Sequence, residues 1–244
     1  MASRRYTKED VIGLLKAEGD GLKRLYREAD EIRHHYMGDE VYLRGIIEFS
    51  NSCTKNCLYC GLRASNKNVK RYAMSGDEIM EVVYFIAETQ QTTVVLQSGE
   101  TPWPNDEDLG YIIRRIKKET PLSVTVSVGN RSYETYRYWR DCGMDRYLLR
   151  FETSDPDLYK KLRPDSRFNE RLECIDYLQR LGVQTGSGFM IGLPGETLDI
   201  LAENILLCCK LQLDMIGIGP FIPHPDTPSV FIKISIMKTR RCFL

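Results

Sequence analysis

Apolar residues recur along the chain in two alternating rhythms, one with the spacing of helices and one with that of strands. Ser75 and Glu78 form a capping box that marks the start of one helix. Apolar stripes at helical spacing predict helices around Ile79/Val82/Val83/Ile86, Leu109/Ile112/Ile113/Ile116, residues 132–141, residues 168–181 and Leu198/Leu201/Ala202/Ile205. Short runs with strand character predict six strands, at residues 41–50, 92–99, 122–129, 146–153, 183–192 and 215–223.

Six repeats of strand then helix predict a parallel sheet with right-handed crossovers. The repeat alone fits an open doubly wound sheet or most of a (βα)8 barrel, but polar alternation within the strands favours the barrel. Thr125 lies on the polar face of its strand, and Arg150 and Glu152 share one face of another. We therefore predict an α/β fold, a partial (βα) TIM-type barrel of about six units over residues 41–228.

The two ends of the chain differ from this repeat. Thr7 is a candidate helix cap, and apolar stripes behind it predict two helices within residues 1–40 that pack outside the barrel. The tail at residues 229–244 carries four Lys or Arg and no acid. It is interpreted either as a basic terminal strand or as foreign sequence after a frameshift or truncation.

Composition and charge narrow the class of partner. The 244 residues carry 34 Lys plus Arg against 34 Asp plus Glu, so no excess charge attracts nucleic acid or a membrane surface. No apolar run reaches the ~18 residues of a membrane span, and the start lacks the apolar centre of a signal peptide. We expect a cytoplasmic protein with no nucleic-acid or membrane partner, and eight cysteines that are reduced thiols.

Three cysteines lie close together just after the first predicted strand. Cys53, Cys57 and Cys60 have the spacing C-x3-C-x2-C, which in a reducing compartment indicates metal binding rather than disulfides. A [4Fe-4S] cluster normally takes four thiolates, so three protein ligands leave one iron open. Zinc, the alternative, usually takes four ligands in paired C-x2-C units, and the sequence has no second pair. Small buried thiols are predicted at the remaining positions before the tail, namely Cys142, Cys174, Cys208 and Cys209.

The cysteine spacing, with Tyr59 before the last cysteine, resembles the signature of the radical S-adenosylmethionine (SAM) superfamily. The resemblance implies that Cys53, Cys57 and Cys60 hold a [4Fe-4S] cluster and that SAM chelates the open iron. It further implies an enzyme that cleaves SAM reductively to methionine and a 5′-deoxyadenosyl radical.

Further motifs at the ends of successive predicted strands carry the same resemblance. Gln97, Ser98, Gly99 and Glu100 resemble the segment that holds the SAM ammonium group, with Ser98 in place of its first glycine. The resemblance places Glu152 at the ribose hydroxyls and Arg171 at the SAM carboxylate. Residues 188–196 resemble the glycine-rich strand near the adenine, which makes Met190 a candidate cofactor contact with a plain core residue as the alternative.

Longer blocks within residues 40–228 resemble a narrower group, the HydE family of [FeFe]-hydrogenase maturases. These blocks are IIEFSNSCTKNCLYCGLR, VVLQSGE, DRYLLRFETSDPDLYKKLRPD, GFMIGLPGET and MIGIGPFIPHPDTP. The resemblance implies an organometallic substrate, the sister maturases HydG and HydF as partners, and an electron donor such as ferredoxin or flavodoxin. The family continues beyond the HPDTP block with the last two strands of the barrel. Two alternatives stay open: another small-molecule reaction, as in methylornithine synthase, and a truncated remnant without catalysis.

Two predicted lumen residues have roles that the resemblance leaves open. Arg150 is predicted either to bind an anionic substrate or to pair with Glu152 or Glu48. Thr125 is predicted to line the cofactor pocket, and ordinary filling of the barrel is the alternative.

Overall fold

The computed structural model of the protein describes residues 6–102 and 104–231. Within these ranges six strands form one sheet in the order β1-β2-β3-β4-β5-β6, and each neighbouring pair is parallel. The strands are β1 (Gly45–Ser50), β2 (Thr93–Ser98), β3 (Ser123–Ser127), β4 (Arg146–Leu148), β5 (Gln184–Ile191) and β6 (Met215–Pro220). The predicted α/β fold of six parallel strand–helix units is therefore confirmed.

Eight α-helices accompany the sheet in the described part of the chain. They are α1 (Lys8–Leu15), α2 (Gly19–Met37), α3 (Gly76–Ala87), α4 (Asp106–Glu119), α5 (Tyr133–Asp141), α6 (Pro156–Leu162), α7 (Phe168–Arg180) and α8 (Leu198–Lys210). The predicted capping box starts α3: the Glu78 amide donates to the Ser75 hydroxyl, and the Ser75 amide donates to the Glu78 carboxylate. None of these helices has the length and apolar character of a membrane span.

The hydrophobic core lies between the outward face of the sheet and the helices that cover it. Val94 of β2 and Val124 of β3 are fully buried there, beneath Ile113 and Ile116 of α4. Burial of a side chain of this size stabilises the fold by roughly 1.5–3 kcal/mol. Because Val124 and Val126 of β3 turn to this core, Thr125 and Ser127 between and after them are left to the inner face.

The N-terminal helices lie outside the sheet and differ in how well they pack. Helix α1 contacts α8, buries Val11 and pairs Lys8 with Asp199 at 3.3 Å and Glu203 at 3.5 Å. Helix α2 has no buried side chain. Exposed pairs such as those of Lys8 contribute little, so the contact of α1 depends mainly on its apolar side.

The structure changes the predicted elements in two places. The strand predicted at residues 146–153 ends at Leu148, although Glu152 still bridges Phe189 of β5. Helix α6 was not predicted; Asp155 caps it and Pro156 stands in its first turn, which is a helix-start signal. Of the tail, only residues 229–231 are described, in a 3-10 turn (Pro228–Phe231), and the rest lies outside the described residues.

Candidate active site

A cavity of about 740 Å³ opens at the carboxyl ends of the strands. This is the edge at which parallel barrels place their active sites. Most of the site residues predicted from the sequence line it together: Cys53, Cys57, Tyr59, Cys60, Gln97, Ser98, Gly99, Glu100, Arg150, Glu152 and Arg171. The loops after β1, β2, β4 and the helix α7 thus bring residues from widely separated parts of the sequence to one surface.

Thr125 and Met190 are the two predicted cofactor residues that do not line the cavity. Thr125 is 2% exposed, and its hydroxyl oxygen is buried without a hydrogen-bond partner. Ser127, one alternation further along β3, reaches the cavity in its place. Met190 packs in a small apolar cluster with Leu158 and Phe221, and Tyr59 lies against this cluster.

The cysteine loop after β1 is clamped by Arg71. Its guanidinium donates to the carbonyls of Asn51 at 2.6 Å, Leu62 at 2.9 Å and Arg63 at 2.8 Å. Such a fork of donors fixes the two ends of the loop relative to each other. These hydrogen bonds hold the cysteine loop to the chain that follows it.

Gly99 allows the loop after β2 to touch the cysteine loop. A Cβ atom at Gly99 would lie 2.3 Å from the carbonyl oxygen of Ser52 and 2.7 Å from Cβ of Cys53. In addition, the amide of Thr54 donates to the Glu100 carbonyl at 2.8 Å. Only glycine permits this approach of the two backbones.

The segment 162–165, which follows α6, supports the cysteine loop from the other side. The Leu58 amide donates to the Leu162 carbonyl at 2.8 Å, and the Asn56 amide donates to Asp165 Oδ2 at 2.7 Å. Lys55 Nζ also donates to the Asp165 carbonyl at 3.2 Å. No local pattern in the sequence predicts this support, because its contacts join residues more than a hundred positions apart.

The three thiols influence one another electrostatically. Burial raises the pKa of Cys57 and of Cys60, and the charges of the neighbouring thiolates raise both further. A thiol of this kind is deprotonated readily only when a cation compensates its charge. The described cysteines are all free thiols, so none is removed from the site by a disulfide.

Glu100 is the centre of one charged group in the cavity. Its carboxylate lies 3.2 Å from Lys55 Nζ and 3.6 Å from Arg171 Nη2, and it accepts from the Asn130 amide at 3.2 Å. Arg171 is 2% exposed and its Nε donates to the Tyr159 hydroxyl. Glu100 and Arg171, which were predicted separately as cofactor residues, thus contact each other. Lys55 was not predicted and joins them in the structure.

Glu152 is the centre of a second charged group. Arg150 Nε lies 3.5 Å from its Oε1, and Arg163 Nη1 lies 3.8 Å from the same atom. The other oxygen, Oε2, is buried without a partner. The backbone of Glu152 has φ 68°, a left-handed conformation that side chains rarely adopt. Strain combined with an unsatisfied polar atom is typical of a ligand-binding residue.

Of the two carboxylates predicted as partners of Arg150, the structure selects Glu152. Glu48 instead accepts a hydrogen bond from Gln97 Nε2 at 3.0 Å, across the β1–β2 pair. Both Glu48 and Gln97 line the cavity. Arg150 keeps 43% of its side chain exposed, so its guanidinium remains accessible from the open side.

The donor set fits an iron–sulfur cluster better than a single metal ion. Thiolates around one zinc ion stand only about 4 Å apart, given Zn–S bonds of ~2.3 Å. No group of three His, Cys, Asp or Glu among the described residues is placed to hold one ion. Cys53, Cys57 and Cys60 nevertheless line one cavity. An iron–sulfur cluster takes one thiolate on each of several irons, so three thiols on the wall of one cavity are a fitting donor set.

Comparison with known proteins identifies the class to which this fold and site belong. The family model of the radical SAM superfamily matches residues 47–208, and the chain belongs to that superfamily. Members of the superfamily bind a [4Fe-4S] cluster and SAM.

Two curated proteins are similar to this chain over more than 90% of its length. The [FeFe]-hydrogenase maturase subunit HydE of Thermotoga maritima is 49% identical over 226 residues, which are 92% of this chain and 65% of that protein. The 3-methylornithine synthase of Methanosarcina barkeri is 28% identical over 225 residues, 91% of this chain and 64% of the relative. The chain thus spans just under two thirds of the length of these two relatives.

Solved structures agree with this placement. The crystal structure of methylornithine synthase (PylB) superposes with a TM-score of 0.88 at 27% identity, covering 94% of this chain and 68% of that one. The structure of HydG from Carboxydothermus hydrogenoformans gives a TM-score of 0.78 at 24% identity, over 91% of this chain and 55% of that one. The second likeness supports the fold alone.

Proposed function

We propose that this chain is a HydE-type radical SAM enzyme that holds a [4Fe-4S] cluster on Cys53, Cys57 and Cys60. The observation that carries the proposal is that these three thiols share one cavity with Glu100 and Glu152. When bound there, the cluster supplies one electron that cleaves SAM to methionine and a 5′-deoxyadenosyl radical. The 49% identity to HydE supports hydrogenase maturation as the setting of this chemistry.

The side chains of the cavity are assigned to the parts of SAM by charge. Glu100 is an anion that suits the SAM ammonium, and Arg171, 3.6 Å away, suits the SAM carboxylate. A zwitterionic ligand would bring a partner of opposite charge to each of these two side chains. The unsatisfied Oε2 of Glu152 suits a ribose hydroxyl as donor.

Other predicted residues have subordinate roles in this proposal. Gln97, Ser98 and Gly99 place Glu100 and shape the wall beside the cysteine loop. Tyr59 joins the cysteine loop to the apolar cluster that contains Met190, which makes Met190 a support of the loop. Thr125 fills the interior of the barrel, buried in β3 two residues before Ser127.

Arg150 is proposed as the substrate-binding residue. Its half-exposed guanidinium faces the open side of the cavity, and it has only one ion-pair partner among the described residues. A planar cation with free donors suits an anionic substrate, including an organometallic complex with cyanide or carboxylate groups. In the HydE setting the substrate comes from HydG and the product passes to HydF.

An acidic one-electron carrier such as ferredoxin or flavodoxin is proposed as the reductant. Cys53 lines the main cavity and also a second cavity of about 400 Å³, next to Lys67 and Arg71. The positive charges of Lys67 and Arg71, on the same cavity wall as Cys53, favour the docking of an acidic protein there. Lys67→Glu should slow reduction by flavodoxin but leave reduction by dithionite unchanged. If flavodoxin reduces wild type and Lys67→Glu at the same rate, this entry point for the electron is excluded.

The reduced state of the described thiols suits a cytoplasmic location, which we propose on that basis.

A second candidate function is supported by the PylB superposition and by the 28% identical 3-methylornithine synthase. Product analysis separates the two: rearranged amino acid favours the second function, and conversion of an iron–carbonyl–cyanide complex favours the first. A chain that binds a cluster without cleaving SAM would instead match the truncated remnant.

The test is anaerobic reconstitution with iron and sulfide, followed by reduction in the presence of SAM and measurement of 5′-deoxyadenosine. Cys57→Ala should abolish both the cluster absorbance and the product. Cys174→Ala is the matched control, since Cys174 is a thiol buried to a similar degree, 7% against 8% exposed, in the helix core. Retention of the iron–sulfur absorbance by Cys57→Ala would refute the proposed ligand set.

A further inference from the structure

Arg163 is a buried arginine beside the cysteine loop that neither the motifs nor the proposed SAM contacts explain. It is 7% exposed, lines the cavity and follows directly after α6. Its Nη1 donates to the Tyr59 hydroxyl at 3.1 Å, and its guanidinium lies 5.4 Å from the centre of the Tyr159 ring. A charge buried to this extent is costly, so its surroundings must compensate it.

The compensation that the protein provides for Arg163 is incomplete. The nearest carboxylate oxygen, Glu152 Oε1, is 3.8 Å away and is shared with Arg150 at 3.5 Å. Arg163 Nε is buried without a hydrogen-bond partner, as is Glu152 Oε2. Two arginines therefore share one carboxylate, and the group carries an excess of positive charge in a poorly solvated place.

The excess charge lies close to the thiols. Tyr59, whose hydroxyl accepts the hydrogen bond from Arg163, lies between Cys57 and Cys60 in the loop, and Arg163 lines the same cavity as all three thiols. Arg163 also sits between Leu162 and Asp165, both of which accept hydrogen bonds from the cysteine loop. The position of its charge relative to the loop is thus fixed by the backbone.

We propose that Arg163, with Glu152 as its partial counter-charge, is a positioning residue that sets the reduction potential of the cluster held by Cys53, Cys57 and Cys60. The inference rests on the proposed function. An iron–sulfur cluster with three thiolates is an anion, and one-electron reduction makes it more negative. A fixed positive charge in a low-dielectric site stabilises the more negative state and so makes reduction easier.

The experiment is an EPR-monitored redox titration of the reconstituted full chain without SAM, with dithionite as the one-electron donor. Arg163→Met should lower the ratio of reduced to oxidised cluster about tenfold at a fixed potential, which corresponds to a shift of ~59 mV to more negative values. Arg163→Lys should restore the ratio to within a few fold of wild type, because it keeps the charge but loses the fork of donors.

Two further variants distinguish charge from structure. Glu152→Gln removes the counter-charge and should shift the potential in the opposite, positive direction. This sign is testable even if Arg163→Met binds no cluster. Arg146→Met is the matched control: it removes the same charge at the amino end of β4, where Arg146 contacts Gln184 and Thr93, and it should leave the potential unchanged.

The outcomes separate the two proposals. Wild-type protein that forms no cluster refutes the proposed function itself. A cluster whose potential is the same in wild type, Arg163→Met and Glu152→Gln refutes the role of Arg163 alone. A shift of the same sign in Arg163→Met and Glu152→Gln also refutes it. The two variants remove opposite charges, so an effect of charge shifts the potential in opposite directions, whereas a structural disturbance has no reason to do so.

Discussion

Glu196, on the loop after β5, gives the sharpest prediction about stability. The residue is 3% exposed and has no ion-pair partner among the described residues. Its carboxylate accepts from the Gly192 amide at 2.6 Å and from Asn204 Nδ2 at 3.1 Å. The Asn204 carbonyl oxygen in turn accepts from the Ser154 amide at 2.6 Å. One buried network therefore joins the loop after β5, helix α8 and the segment that follows Glu152.

Burial raises the pKa of Glu196 from 4.5 to about 7, although the hydrogen bonds from Gly192, Leu193 and Asn204 oppose the rise. The folded state therefore binds a proton that the unfolded state releases between these two values. The free energy of unfolding then falls as pH rises through this window. The whole shift corresponds to ~3 kcal/mol, of which about 2.5 kcal/mol is lost between pH 5 and pH 8.

Glu196→Gln removes the titrating group but keeps its shape and one acceptor oxygen. The assay is urea unfolding of the iron-free, reduced protein and its variant at several pH values between 5 and 8, with the difference in unfolding free energy taken at each pH. Other titrating groups cancel in that difference. Wild type should lose about 2 to 3 kcal/mol relative to the variant as pH rises through this range.

A difference that stays constant with pH would refute the reasoning, because it would mean that Glu196 titrates alike in the folded and unfolded states. A difference that grows in the other direction would indicate an unrecognised cation beside the carboxylate. Asn204→Ala serves as a control for the network: it should destabilise the protein by about 1–3 kcal/mol, since it leaves buried groups unpaired. Its effect should be present at every pH and should grow as pH rises, because the Asn204 hydrogen bond favours the charged form of Glu196.

Three further changes have expected outcomes. Gly99→Ala should lower iron incorporation severalfold, measured by iron analysis after reconstitution, because its Cβ would lie 2.3 Å from the Ser52 carbonyl oxygen; normal iron content would show that the two loops move apart freely. Glu100→Ala should weaken SAM binding at least tenfold in equilibrium dialysis and leave the cluster in place; loss of the cluster would show that its role is structural. Tyr147→Phe should lower the unfolding free energy by about 1 kcal/mol, since it removes the 2.6 Å hydrogen bond to the Gly129 carbonyl; an unchanged urea midpoint would contradict this.

Local sequence patterns predicted most of the helices and strands and brought the three cysteines together. The apolar stripe of α4 predicted its four large buried side chains, Leu109, Ile112, Ile113 and Ile116, because a helix repeats every 3.6 residues. The cysteine spacing predicted that the three thiols come together, since all of them belong to one loop, and they line one cavity. The strand–helix repeat predicted a parallel sheet, because parallel neighbours need a crossover between them, and the polar alternation within the strands favoured the barrel, in which neighbouring strands follow the order of the chain.

The alternation of polar and apolar residues does not predict how far along its strand a residue lies from the cavity. Alternation placed Thr125 correctly on the inner face but did not show that it lies below the cavity, which Ser127 reaches instead. Met190 lies on a strand whose residues are buried on both faces, so its partners depend on the loops that cover it. Both positions depend on how the sheet curves and on what covers it, and the two-residue alternation of a strand contains no information about either.

The class of the protein follows from the sequence, through its six strand–helix units, its three-cysteine loop and the carboxylates at the strand ends. Which charges meet depends on the tertiary structure. Tyr59 and Arg163 are 104 residues apart in the chain and 3.1 Å apart in the fold, and Lys55 reaches both Glu100 and the Asp165 carbonyl. Coulomb energy depends on distance and burial, and both are properties of the packed chain, so the charged surroundings of the cysteines emerge only once the loops are folded against each other.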